Sequence, residues 1–357
     1  MKKLSPLGPA AYQVQDHTVE LLPALEASSG LKRSPGAYVP RPARQATLLR
    51  ALNEPPQSSG VSPRSFASFV PPLANISRSI NLSAADLNTL DWTAISHIHR
   101  SKNGQYGVRF LEISERYLVA AKTAHNIDRE HLAEQLARAV GLRTASPSIL
   151  LQDPCMALCE ATSFWPKEKV LIMPRLDGVS FRELTPTQEN ALVNVTALGL
   201  SIFYDLGAVF AYDCFIGNDD RFPSLGGQNR GNLMLPGDRV TLIDNTMASK
   251  LNLAKPCFRE TYSKKLRQIL RHGHANDPAL ATRCFQTNAK FLPPELEITW
   301  ESMAAPFLAG FRQGVRLIAA LPTAKLESIM VASQIDEPTQ NFVRDNHAAF
   351  RAATGSV

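Results

Sequence analysis

The chain has 357 residues and a hydrophobic share of 44%, ordinary for globular protein and long enough for more than one compact unit. Its formal charge of +6 is unevenly spread: residues 1–80 hold nine Lys/Arg against four acids, a balance of +5, so the remainder is close to neutral. That argues against a nucleic-acid-binding globular domain, whose cations would line its own folded surface, and leaves a basic segment free to touch anionic membrane or an acidic partner.

Five cysteines (155, 159, 214, 257, 284) are too few and too scattered for a disulfide framework. Cys155 and Cys159 are spaced C-x3-C without a second Cys/His pair, so buried thiols are expected there rather than zinc. No apolar run reaches about 18 residues, so no membrane span is expected. Lys2 and Lys3 are not followed by an apolar stretch, so neither is a cleaved secretory signal.

In chain order, residues 1–81 read as a disordered tail. Eleven of the 25 prolines lie there, with Ser and Gly clusters, and such a stretch buries too little apolar surface to offset its ordering entropy. One amphipathic piece, Val19 to Leu25, could dock on a partner. Order is expected from Leu82. Ser83 and Asp86 form a capping-box pattern before a short helix to Leu90. Strands are predicted over 95–98, 108–113 and 117–121, the first two joined by the turn-rich Ser101 to Gly107. A clear amphipathic helix follows over 128–140, with Leu132, Ala133, Leu136, Ala137 and Val140 on one face, Asp128 as cap and Gly141 as terminator. Strands come at 148–151 and 169–173. From Thr185 the pattern is mainly helical: 198–213, then about 259–272, 297–321, 324–334 and 338–353. A strand-loop-strand interruption falls between Gly231 and Asp244. The fold class is therefore α+β: a small β-rich unit with one helix (82–175), then a larger helical unit (176–357). A two-part layout suggests a ligand cleft between them.

Kinase chemistry needs a lysine for the nucleotide phosphates, a helix acid to hold it, a carboxylate to orient the nucleophile and oxygen ligands for a divalent cation. Lys122 ends the strand Tyr117 to Ala121, on the face opposite Ala121. Glu130 falls eight residues later in the first helical turn, with Glu134 as a competing partner. A stronger signal is Phe215-Ile-Gly-Asn218-Asp219-Asp220-Arg221 after a buried-looking helix, followed by Arg230-Gly231-Asn232-Leu233-Met234 and by Asp244 at the end of an apolar strand. Two carboxylates and an amide gathered in a cleft suit Mg²⁺ or Mn²⁺ with phosphate oxygens better than zinc.

The stretch Asn218-x-Asp220-Arg221, Gly231-Asn232-Leu233-Met234 and Leu242-Ile243-Asp244-Asn245 resembles the catalytic segment of the actin-fragmin kinase family, atypical kinases related to the phosphoinositide kinases within the protein-kinase-like fold. Upstream, Glu130 to Pro147 is similar to that group's helix after the nucleotide lysine, and Lys169 to Gly178 to its adenine hinge. The resemblance covers about residues 95–250. It implies a bilobal protein-kinase-like fold and an ATP- and Mg²⁺-dependent serine/threonine protein kinase. In that reading Lys122 contacts the phosphates and Glu130 holds it. Asp220 orients the acceptor hydroxyl, and Asn232 and Asp244 bind the metal. Gly104 and Gly107 lie in the phosphate-covering loop and Met173 at the hinge. The base assignment lies between Asp219 and Asp220, the pattern favouring Asp220. Two departures stand out: Phe222 to Arg230 lengthen the link to Asn232, and the hinge Met173-Pro174 lacks an amide donor.

The tail suits a bacterial effector delivered into a host cell, in which case the substrate would be a host protein, a cytoskeletal one among the candidates; otherwise a soluble cytoplasmic kinase is expected. Two alternatives stay open: a phosphoinositide or small-molecule kinase held near membrane by the basic tail, and a pseudokinase interaction module.

Overall fold

The computed structural model describes residues 82–355 except 101–107, 115–116, 125, 146, 153, 164–168, 177, 186–187, 189–196, 223, 226–228 and 287–299. The expected tail with its Val19 to Leu25 piece, and the Ser101 to Gly107 loop with Gly104 and Gly107, lie outside the described residues. All described residues belong to one contact unit, Arg50–Val357.

The described residues open on the capping box. Ser83 Oγ accepts from the Asp86 amide and the Asp86 carboxylate accepts from the Ser83 amide, which satisfies two orphan donors at the start of α1 (Ala84–Asn88). Five strands then form one antiparallel sheet: β1 (Ile95–Arg100), β2 (Arg109–Ile113), β3 (Tyr117–Lys122), β4 (Ile149–Leu151) and β5 (Val170–Pro174), in the order β1-β2-β3-β5-β4. The strands are rich in Ile, Val, Leu and Phe, residues that fit a half-buried pleated surface. Both faces are covered. Val119 and Ala121 pack into one apolar cluster with Leu87, Leu111 and Ile172. Ala120 packs on the opposite side with Ile127, Leu171 and Met173. Strand alternation therefore turns Lys122 to the second face.

Helix α2 (Ile127–Ala139) connects β3 to β4. Asp128 is not its cap. The N-cap is Asn126 without a side-chain bond, and Asp128 pairs with Lys169 at 2.8 Å across the helix–sheet junction. Gly141 does end the helix, at φ +78°: its amide donates to Arg138 and that of Leu142 to Ala137, the Schellman arrangement. The apolar face expected of α2 is real, but Leu132, Ala133, Leu136 and Ala137 join the core of the helical layer, where the Tyr212 hydroxyl donates to the Ala133 carbonyl. Helix α2 thus ties the sheet to the helices.

A short helix, α3 (Met156–Thr162), takes the C-x3-C segment. It buries Cys159 but leaves Cys155 exposed, so only one of the two expected buried thiols is buried: Cys155 precedes the first turn and faces outward.

The helical layer is built on α4 (Ala197–Ile216). No spanning segment was legible as an apolar run, yet the Gly199–Ile216 window is long and apolar enough to cross a membrane; 83% of it is buried inside the fold, the mark of a core helix. A second sheet of β6 (Val179–Ser180), β7 (Leu233–Leu235) and β8 (Thr241–Leu242) follows. The chain ends in α5 (Lys250–Leu253), α6 (Pro256–His274), α7 (Pro278–Gln286), α8 (Trp300–Ala320), α9 (Thr323–Ala332) and α10 (Glu337–Gly355). Helices α4 and α8 cross with backbones nearly touching. A Cβ on Gly310 would fall 1.8 Å from the Tyr204 carbonyl oxygen, and one on Gly207 1.9 Å from that of Phe307. Only glycine permits this approach.

Candidate active site

The site is assembled from three chain segments. On the sheet, Lys122 closes β3 with its side chain almost wholly buried. Its Nζ lies 2.7 Å from Glu130 Oε2 on α2 and 2.6 Å from Asp244 Oδ1 beyond β8. Glu130, not Glu134, is therefore the helix partner. Glu134 is buried with Oε1 unpartnered, and burial holds its carboxyl up to about 8.

Burial alone would lower the Lys122 pKa, but two carboxylates outweigh it and the group is held above its ordinary value. Glu130 is fully enclosed and shares that one cation with Asp244. Burial therefore prevails over the lysine, holding its carboxyl up to about 7.

The hairpin of the second sheet brings Asn232 and Asp244, twelve residues apart, to neighbouring positions. Leu233 pairs with Leu242, so Asn232 stands opposite Ile243, whose amide donates to the Asn232 carbonyl at 3.2 Å. Asp244 is the next residue, at φ +52°, a left-handed conformation that aspartate adopts more readily than most. Its carboxylate keeps 40% of its exposure while Lys122 and Glu130 have 7% and 5%. One end of the cluster is thus open and the other sealed.

The third segment is the turn after α4. Asp220 Oδ2 accepts from Asn232 Nδ2 at 2.8 Å and from Asn229 Nδ2 at 3.0 Å. Partial burial raises the Asp220 pKa while these amides oppose it. Asn218 Oδ1 accepts from the Asp220 amide, and Asp219 faces outward, so only Asp220 is aimed into the cluster. The long link from Phe222 to Arg230 is anchored at both ends. Phe222 is fully buried edge-on to Phe210, and the Asn229 amide returns to the Asp220 carbonyl at 2.8 Å.

Arg221 fastens the segments from beneath. Its guanidinium is fully buried and donates to Asp213 at the end of α4, to the Ile243 carbonyl and to Asn245 Oδ1. The Asp213 carboxyl is held up to about 6 by burial, against the pull of Arg221. Sequence reasoning gave no role to Asn229, Asp213 or Asn245. The one signal available was the recurrence of asparagine at 218, 229, 232 and 245 around two aspartates.

No protein-family model matches the chain, and no curated protein matches it.

Among the described residues no three His, Cys, Asp or Glu side chains gather as a metal cage. A Mg²⁺ ion does not need one, since it keeps waters and substrate oxygens and takes one or two protein ligands. The donors present fit that use. Asn232 spends its amide nitrogen on Asp220, which leaves its oxygen as the coordinating atom. The Asp244 carboxylate is partly accessible, with Oδ1 on Lys122. Above them, Ala120 and Met173 lie on the Lys122 face of the sheet, with Val108, Phe110, Leu176 and Ile243 packed on them half-buried. This apolar wall adjoins the charged cluster.

Proposed function

We propose that this chain is an ATP-dependent phosphotransferase on a bilobal protein-kinase-like scaffold, transferring the γ-phosphoryl group to a protein hydroxyl in the manner of the actin-fragmin kinases it resembles. One observation carries the reading. Lys122 bridges Glu130 and Asp244 within 2.7 Å while Asp220 holds Asn232 at 2.8 Å. A third-strand lysine paired with a glutamate on the following helix is the arrangement kinases use for the nucleotide phosphates.

In this reading the wall of Ala120, Met173 and Ile243 receives the adenine ring. Lys122 is kept charged by its two carboxylates and neutralises phosphate oxygens, with Glu130 holding it in place. Asn232 and Asp244 would hold Mg²⁺, which supplies charge neutralisation on the transferring phosphate. Asp220 is oriented by two amides and accepts a hydrogen bond from the acceptor hydroxyl, aligning it for in-line attack. Catalysis of this kind rests on positioning and on fixed charge, and a cluster anchored from three segments supplies both.

The test is label transfer from γ-labelled ATP with Mg²⁺ or Mn²⁺ to protein acceptors and, in parallel, to phosphoinositide vesicles, using wild type, Asp220→Ala and Asp244→Ala. Label in protein that both substitutions abolish is the expected result. Label confined to lipid would replace the acceptor class, and ATP binding without transfer to any acceptor would refute the reading in favour of an interaction module.

A further inference from the structure

The near-neutral balance after residue 80 hides a segregation of charge. Helix α6 alone holds Arg259, Lys264, Lys265, Arg267 and Arg271 against Glu260, a balance of +4, so the rest of residues 81–357 carries about −3. Leu266 and Leu270 anchor the helix in the core, while Lys264, Lys265, Arg267 and Arg271 are exposed. Against this face lies a cleft of about 140 Å³ with Ile269 and Leu280 in its lining and Lys265, Gln268 and His272 of α6, Arg283 of α7 and Ser224 around them. His272 is held by Asp277 at 2.7 Å, a carboxylate on which Arg283 also acts electrostatically, and Lys265 and Arg283 are the cations at the cleft.

Ser224 gives the cleft its address. It belongs to the link that joins Asp220 to Asn232, and its hydroxyl lies 3.3 Å from Cys284 Sγ on α7. Lys265 is close enough to act electrostatically on Asp219, the neighbour of Asp220. The basic face therefore begins where the acceptor hydroxyl would be presented.

We propose that this face docks a run of acidic side chains on the protein acceptor. One carboxylate enters the cleft between Lys265 and Arg283, and the others follow Lys264, Arg267 and Arg271. The proposal rests on the protein-kinase reading for what the docked chain does next, but not for the docking itself. Two observations select a peptide over other anions. Among the described residues the exposed large hydrophobics are Ile98, Met156 and Val331, none on α6, so this helix offers no apolar side chain to a bilayer. Phe258 and Tyr262 of α6 stack on one another and pack inward beside Phe342, so α6 turns neither of its aromatic rings outward as a platform for nucleobases.

The experiment uses the full chain and two fluorescent peptides of equal length, a serine followed by either a glutamate or a glutamine run, with phosphatidylserine vesicles as a third probe. Wild type and Asp220→Ala are expected to bind the glutamate peptide about tenfold tighter than the glutamine peptide at low salt, with the preference fading as salt rises. Lys265→Glu/Arg271→Glu/Arg283→Glu is expected to lose that tenfold while still unfolding cooperatively in urea, and to raise KM for the glutamate peptide with kcat unchanged. Equal binding of both peptides, undiminished binding by the triple variant, or triple-variant-sensitive binding to vesicles without a peptide preference would each overturn the proposal. Preference for the glutamate peptide without transfer to any acceptor would keep the docking face and remove the kinase reading.

Discussion

Replacing Lys122 with methionine should destabilise the protein in a way that depends on pH, because the lysine's main buried partner can escape by taking a proton. In the wild type, burial holds Glu130 up to about 7, above its ordinary 4.5. The unfolded chain therefore ionises it first, and stability falls as pH rises from 4.5 to 7, by about 1.4 kcal/mol per pH unit or roughly 3 kcal/mol in all. Removing Lys122 raises the native value further, so in the variant the decline continues beyond pH 7. At pH 8 the extra loss is capped by the proton that Glu130 can bind, at about 1–2 kcal/mol relative to wild type. At pH 6 Glu130 is protonated in both proteins and this part of the difference vanishes. Glu134 and Asp213 titrate in the same range in both and largely cancel. Asp244, 40% exposed, is left to water. Urea midpoints for wild type, Lys122→Met and Lys122→Met/Glu130→Gln at pH 6 and 8 decide the matter. The single variant should fall further behind wild type at pH 8, and the double variant should lose that pH dependence while remaining without transfer activity. An equal loss at both pH values would refute the claim that Glu130 is the titrating partner.

Other perturbations separate packing, electrostatics and positioning. Glu134→Gln removes a carboxyl that burial holds up to about 8. Since its native value lies above the unfolded one, the wild-type penalty grows with pH from 4.5, and the variant should gain about 1–3 kcal/mol at pH 7 and nothing at pH 4 in chemical denaturation. Gly310→Ala drives a methyl to 1.8 Å from the Tyr204 carbonyl oxygen and should cost about 1–3 kcal/mol or more as α4 and α8 are forced apart, read as a lowered thermal midpoint. Arg129 donates to the Ala248 carbonyl at 2.9 Å, linking the turn beside Glu130 to the segment after Asp244. Arg129→Ala should slow transfer about tenfold while lowering stability by only about 1 kcal/mol. Transfer kinetics and urea unfolding on one preparation test both halves.

Elements with strong local signals were legible from the residues alone: the capping box at Ser83 and Asp86, the Gly141 terminator, the strands up to Lys122 and the long C-terminal helices. Local pattern could not choose Asn126 over Asp128 as the start of α2, because Asp128 is drawn to Lys169, a residue 41 positions away. It also passed over α3 and α7, short helices whose apolar spacing covers too few turns to stand out, although Asp277 before Pro278 is a start signal. In the site, spacing and residue type found Lys122, Glu130, Asp220, Asn232 and Asp244, and the structure brings these together. It leaves the gatekeeping between Glu130 and Glu134 to three-dimensional packing, which sequence cannot rank. Gly104 and Gly107 fall outside the described residues, and Met173, expected at the adenine hinge, lies on the apolar wall beside the charged groups.

The single guanidinium of Arg221 has a consequence for how the cluster comes apart. The end of α4, the Asp220 turn and the strand leading to Asp244 all close on that one cation, and no shorter detachment frees one without stranding a buried charge. Amide hydrogens along all three should therefore exchange with solvent in a single concerted opening rather than residue by residue, and a substitution that loosens any one stretch should speed exchange in the other two by the same factor.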